Sequence, residues 1–126
     1  MMNNFKLIIL IFCVLILGCH KKSKLKDSNR IKLHGQNLTE RQVGNIIINL
    51  NHSKDSVHAY QLIDTLIALN GNTGFINFEK GIVEFHNSKF KTAINYFELA
   101  KSLGYNENKC QIMIKSSQSM MDVTNK

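Results

Sequence analysis

The sequence of 126 residues contains no proline, no tryptophan and only three cysteines. The lack of proline excludes collagen-like chains and proline-rich linkers. Three cysteines cannot all pair with one another, which argues against a small secreted scaffold held together by disulfides. With 44% hydrophobic and 20% charged residues, the composition is that of one small globular domain with additional segments.

The net charge of +7 is distributed unevenly along the chain. Residues 20–34 contain six Lys or Arg and one Asp, which gives +5, and Lys6 adds one more. Residues 35–126 contain nine Lys or Arg and eight Asp or Glu, which leaves +1. A basic protein first suggests nucleic acid as a partner, but the basic stretch has no aromatic side chain on which bases could stack. We therefore predict no nucleic-acid partner.

The amino-terminal segment has the layout of a secretory signal. Lys6 precedes eleven consecutive apolar residues, 7–17, which are followed by Gly18 and Cys19. As a helix this run covers about 16 Å, which is short against a hydrocarbon core of roughly 30 Å. An ordinary buried helix is the alternative, but the run has no polar face. We predict that residues 1–18 are a signal peptide.

The end of the apolar run, Ile16-Leu17-Gly18-Cys19, resembles the lipobox of bacterial lipoproteins. In that family the cysteine is alkylated with diacylglycerol, the chain is cut just before it, and the new amino terminus is usually acylated. The resemblance implies that Cys19 is lipidated and that membrane lipid is a partner. It also implies a location at a membrane of the bacterial cell envelope, with the outer membrane favoured and the domain on the periplasmic or surface side.

Residues 19–36 are predicted to form a basic, flexible tether behind this anchor. Serine and asparagine accompany the lysines, and apolar residues are few. Near an anionic leaflet each basic side chain contributes on the order of 1 kcal/mol to membrane attraction. Most of the net charge is thereby assigned to attachment rather than to the domain.

Residues 37–126 are predicted to form an all-α domain. Apolar residues recur at helical spacing, the intervening segments contain asparagine, serine and glycine, and Thr39 with Gln42 fits a capping box. No segment alternates convincingly as a strand. The predicted helices cover residues 40–51, 54–70, 74–86, 89–103 and 107–123.

A shift of thirty-four residues aligns the second predicted helix with the fourth. The aligned pairs are Ala59 with Ala93, Ile63 with Phe97, Leu66 with Ala100, and Leu69 with Leu103. A period of about 34 residues is typical of solenoids that are built from pairs of helices. The sequence therefore predicts a short array of antiparallel helix hairpins.

Residues 74–107 resemble one tetratricopeptide repeat. The resemblance rests on a small residue in the first helix, an aromatic residue opening the second, and a small-large-small pattern within it: Gly81, Phe90, Ala93, Phe97 and Ala100. The chain departs from the family at Tyr105, Asn77 and Lys80, where proline, tryptophan and an apolar residue are preferred. Residues 40–73 resemble a degenerate unit, and the last helix resembles a cap. An unrelated five-helix bundle is the alternative.

The sequence contains no motif typical of an enzyme, a metal site or a cofactor site. The five histidines, His20, His34, His52, His58 and His86, include no pair at the i, i+4 spacing of a helical metal site. Cys110 shares an apolar helix face with Met113 and Ile114, which favours a buried, inert thiol. We predict no enzyme activity, no cofactor, no bound metal and no small-molecule substrate.

The resemblance implies a concave face formed by the first helix of each hairpin, where tetratricopeptide repeats hold peptides. In the best-matching unit this candidate face consists of Phe75, Phe78, Ile82, Phe85 and His86. Ile48, His52 and Ile112 would extend it on the neighbouring helices. The alternative is that these side chains close the core, because so short a chain needs most of its apolar residues inside. Full burial of Phe78, Ile82 and Phe85 together would exclude a groove.

These features together predict a membrane-anchored lipoprotein whose helical domain is an adaptor that binds a protein or peptide. The first alternative is a small lipoprotein that inhibits one enzyme or toxin, as immunity proteins do. A charged patch on the domain would favour that alternative. The second alternative is an accessory enzyme of the cell envelope, which would require ionisable residues clustered in a cleft.

Overall fold

The computed structural model of the protein describes residues 30–124, which form a β-hairpin followed by five α-helices. The strands are β1 (Arg30–Leu33) and β2 (Gln36–Thr39). The helices are α1 (Glu40–His52), α2 (Ser56–Asn70), α3 (Gly74–His86), α4 (Phe90–Ser102) and α5 (Glu107–Thr124). Each helix begins and ends within two residues of its predicted bounds. The prediction of an all-α array of antiparallel helix hairpins is confirmed.

The β-hairpin corrects the prediction that no segment forms a strand. Ile31 pairs with Leu38 in the antiparallel register, and His34 and Gly35 form the two-residue turn with φ of 46° and 77°. Positive φ at both central residues matches the right-handed twist of the flanking strands, and glycine adopts it without strain. The side chains of Ile31 and Leu33 are buried in the core. Residues 30–36 therefore belong to the folded domain, although the predicted tether included them, and residues 19–29 lie outside the described part.

The side chain of Asn70, the last residue of α2, binds the backbone of β1. Its Oδ1 accepts a hydrogen bond from the Lys32 amide at 2.8 Å, and its Nδ2 donates to the Lys32 carbonyl at 3.0 Å. The carboxamide thus satisfies both backbone groups at this point of the strand, as a neighbouring strand would. This contact ties the hairpin to the helical array.

Residues of α2 and α4 that align at a shift of thirty-four positions are buried to a similar extent. Ala59, Ile63 and Leu66 of α2 are fully buried, and so are their partners Ala93, Phe97 and Ala100 of α4. The fourth aligned pair, Leu69 with Leu103, is exposed on both helices, at 49% and 47%. The two hairpins therefore use corresponding positions in the same way.

The core consists of two adjoining clusters of apolar side chains. Helix α3 packs against α1, α2 and α4, and α5 packs against α4. One cluster joins the β-hairpin to α1, α2 and one side of α3, and the other joins α3 to α4 and α5. Tyr105, in the turn before α5, packs against both clusters. The central helix α3 therefore determines how the two hairpins meet.

Candidate functional site

The structure divides the five residues of the candidate face into two groups. Phe75 and Phe78 are buried, with only 5% and 8% of their surface exposed. Ile82 and Phe85 are half-buried, and His86 is exposed. Phe75 and Phe78 thus follow the alternative in which these side chains close the core, whereas the other three remain accessible. Because Ile82 and Phe85 are not fully buried, the condition that would exclude a groove is not met.

The Tyr105 ring packs against both Phe75 and Phe78 and helps to cover them. Its ring centroid lies 5.9 Å from that of Phe75 and 4.9 Å from that of Phe78. The turn holds this ring in place because the Tyr105 amide donates a hydrogen bond to the Ala100 carbonyl at 3.0 Å. Burial raises the pKa of the Tyr105 hydroxyl, which therefore stays protonated at neutral pH. An aromatic ring at the position where the family prefers proline thus covers the start of α3.

The accessible part of the surface spans α1 and α3. We call it the open face and define it by five residues: Ile48, His52, Ile82, Phe85 and His86. Ile48 is 40% exposed, and both histidine side chains are exposed. Ile112 of α5, which the sequence also suggested, is 63% exposed. The open face therefore combines apolar and imidazole side chains on two neighbouring first helices.

Aromatic contacts position the end of the open face that lies near the helix carboxyl termini. The Phe85 ring contacts Phe90 edge-on, with the ring centroids 5.4 Å apart and the planes at 69°. The His52 and His86 rings lie 6.1 Å apart, between centroids, at an angle of 62°. Partial desolvation at the base of the side chain, followed by the proximity of His52, lowers the pKa of His86, although the side chain is exposed. At neutral pH the His86 ring is therefore predominantly uncharged.

A buried carboxyl group lies beside the open face, at Glu79. The side chain is only 7% exposed, and no residue in the described part of the chain donates a hydrogen bond to it. Its Oε1 would lie 3.3 Å from a Cβ at Gly44, so the glycine of α1 provides the space that the carboxyl fills. Burial raises the pKa of Glu79 to about 7, with Lys109 opposing the shift and Glu40 adding to it.

Sequence reasoning did not identify Glu79. The only local signal is that Glu79, directly after Phe78, is the one acidic residue in the first two turns of the helix. Its burial depends on the packing of α3 against Gly44, which lies thirty-five residues earlier in the chain. A contact of this kind cannot be read from spacing within one helix.

A second buried acid, Glu84, faces α2 and the turn after α3. The side chain is 6% exposed, and Lys89 Nζ lies 3.8 Å from its Oε2. That oxygen has no hydrogen-bond partner among the described residues. Burial, with the neighbouring Glu84 carboxyl adding to it, raises the pKa of the Tyr60 hydroxyl, which accepts a hydrogen bond from Asn87 Nδ2 at 3.4 Å. This cluster links α2 to the α3–α4 turn and has a structural role.

The remaining chemical candidates have structural explanations. Asp55 caps α2 by accepting a hydrogen bond from the His58 amide, and its Oδ2 lies 2.6 Å from the His58 ring. The backbone hydrogen bond, followed by that of the ring, lowers the pKa of Asp55. Cys110 is fully buried, and burial raises the pKa of its thiol, as expected for an inert cysteine. Cys19, the predicted lipidation site, lies outside the described residues.

Within residues 30–124, no three side chains of the His, Cys, Asp or Glu type come together as possible metal ligands. Among the helices in that range, none is both long and apolar enough to cross a membrane.

Comparison with known proteins gives no relative from which a role could be transferred. No protein-family model matches the chain, and neither the curated proteins nor the solved structures contain a match.

Proposed function

We propose that this protein is a lipoprotein, anchored to a membrane of the bacterial cell envelope through Cys19, whose helical domain binds a segment of another protein. The observation that carries the binding role is the open face, where Ile48, Ile82 and Phe85 present apolar surface on two adjacent helices. A few anchoring residues supply most of the energy in protein interfaces, and aromatic side chains such as Phe85 are enriched at interface cores. A helix-hairpin array offers a rigid support for such a surface.

The anchoring role is supported by the lipobox-like sequence that ends at Cys19. Each buried acyl methylene contributes about 0.8 kcal/mol, so that two or three chains hold a protein stably at a membrane. The basic residues between 20 and 29 add electrostatic attraction to an anionic leaflet. In this proposal the anchor keeps the binding domain close to the bilayer, where its partner is also found.

Lipid labelling tests the anchor. We expect that Cys19→Ala abolishes incorporation of radioactive palmitate and moves the protein out of the membrane fraction of a bacterial host. Cys13→Ala is the matched control, because that cysteine lies within the predicted signal peptide. It should leave labelling unchanged. Labelled protein in the Cys19→Ala strain would contradict the anchoring proposal.

Charge substitution on the open face tests the binding role. We expect that Ile48→Glu reduces the yield of crosslinked partner from intact membranes at least tenfold, since a buried carboxylate cannot replace the apolar contact. Val57→Glu on α2 is the matched control, because Val57 is 64% exposed and lies outside the open face. Both sites are exposed, so each change should alter stability by less than about 0.5 kcal/mol. Equal loss of crosslinking in both variants would argue against the open face as the binding surface.

A further inference from the structure

The pair of histidines at the carboxyl ends of α1 and α3 can act as one unit. His52 is the last residue of α1, and His86 is the last residue of α3. They are thirty-four residues apart and hold corresponding positions in the two hairpins, so the stacking of the hairpins places them side by side. Their ring centroids are 6.1 Å apart. Two imidazoles that are distant in sequence are thus within reach of a common ligand.

Both rings have nitrogen atoms available for such a ligand. Neither ring hydrogen-bonds to another residue in the part of the chain that the structure describes. Both side chains are exposed, which leaves access from solvent. The Phe85 ring lies edge-on to the His86 ring, with the ring centroids 6.1 Å apart.

The separation of the rings fits a metal ion held between them. With metal–nitrogen bonds of about 2.1 Å, two imidazoles on one ion have ring centroids roughly 5–6 Å apart, depending on the angle at the metal. The observed separation of 6.1 Å lies at the upper end of this range. Imidazole suits Zn²⁺, Ni²⁺ and Cu²⁺, whereas Mg²⁺ and Ca²⁺ prefer oxygen ligands.

We propose that His52 and His86 form a two-histidine site for a divalent transition-metal ion, with water completing its coordination. The bound ion joins the carboxyl ends of the first helices of the two hairpins. Because the ion binds the folded arrangement and not the unfolded chain with the same geometry, it stabilises the stacking of the hairpins. The site does not depend on the anchoring or binding roles proposed above.

Metal titration of the full-length protein tests this proposal with two readouts. We expect Zn²⁺ at saturating concentration to raise the midpoint of thermal unfolding by about 5–10 °C. We also expect one equivalent of Cu²⁺ to broaden the NMR signals of the His52 and His86 rings before those of other histidines. His52→Ala and His86→Ala should each reduce the Zn²⁺ affinity about tenfold or more, since each removes one of two linked ligands.

His58→Ala is the matched control, because His58 is an exposed histidine that lies next to Asp55 and away from the pair. It should retain the affinity and the thermal shift of the unsubstituted protein. His86→Gln, with a side chain of similar length that ligates these metals poorly, should behave like His86→Ala. Circular dichroism without metal identifies any variant that fails to fold. Wild-type affinity in either single variant, or first broadening at His34 or His58, would overturn the proposal.

Discussion

Phe97→Ala is expected to lower the free energy of unfolding by about 3–5 kcal/mol, the range for truncating a fully buried phenylalanine. The Phe97 ring has no exposed surface, and its centroid lies 5.4 Å from that of Phe78. It fills the space between α3 and α4 at the centre of one core cluster. Small domains have a total stability of about 5–15 kcal/mol, so this single change removes a large part of it. Urea unfolding followed by circular dichroism measures the loss.

The packing of the Phe97 ring against α3 is also tested by the substitution Gly81→Ala on that helix. A Cβ at Gly81 would lie 2.5 Å from Cε1 and 2.7 Å from Cδ1 of the Phe97 ring, closer than carbon atoms can approach. Overpacking of this kind costs about 1–3 kcal/mol, which exceeds the 0.5–1 kcal/mol or so that alanine gains over glycine within a helix. Gly44→Ala is the control, because its Cβ would meet only the end of the Glu79 side chain, at 3.3 Å. Equal effects at Gly44 and Gly81 would contradict this account.

The helices could be predicted from the sequence because their signals are local. Thr39 and Gln42 form the capping box expected from their spacing, with the Thr39 amide donating to Gln42 Oε1 at 2.9 Å. Gly71 follows the last residue of α2 with a φ of 79°, a conformation that favours glycine. The repeat signal is also contained in the sequence, since the residues that pair at a step of thirty-four are buried alike.

The β-hairpin could not be predicted, because its stabilising contacts are distant in sequence. Each strand has only four residues, so Ile31 and Leu33 provide too short an alternation to stand out among the basic residues around them. The partner that satisfies Lys32 is Asn70, thirty-eight residues away. Composition indicated a tether, whereas packing against α2 makes the same residues part of the domain.

The candidate site could be predicted only in part, because its helix is specified locally whereas the accessibility of its side chains depends on distant contacts. The five residues of the candidate face, Phe75, Phe78, Ile82, Phe85 and His86, all lie on α3, whose bounds could be predicted. Which of them are accessible depends on Tyr105, which arrives from the turn after α4 and covers only the first two. The pairing of His52 with His86 follows from the repeat step, and it becomes visible once the hairpins are known to stack.

Glu79→Gln is expected to raise the stability of the protein at pH 8 by about 3 kcal/mol and to leave it nearly unchanged at pH 4. The pKa of Glu79 is raised from 4.5 to about 7 in the folded state, so the folded protein binds a proton that the unfolded chain releases. Its contribution is fully present below pH 4.5, falls as the pH rises to about 7, and is constant above that. At 1.36 kcal/mol per unit, the shift corresponds to about 3 kcal/mol. Glutamine has the shape of the protonated acid and does not titrate, so it avoids this loss.

Urea unfolding at pH 4, 6 and 8 measures the stability of the unsubstituted protein and of Glu79→Gln. The titration of all other groups cancels in the difference between the two values at each pH. Burial is what makes Glu79 differ from an ordinary surface acid, so an exposed acid provides the comparison. Glu98 is exposed and forms an ion pair of 2.9 Å with Lys101 on the surface of α4. Glu98→Gln should therefore change stability by less than about 1 kcal/mol at every pH. If the effect of Glu79→Gln is the same at pH 4 and pH 8, the pKa of Glu79 is the same in the folded and the unfolded protein, and its carboxyl group is not buried against Gly44 as described.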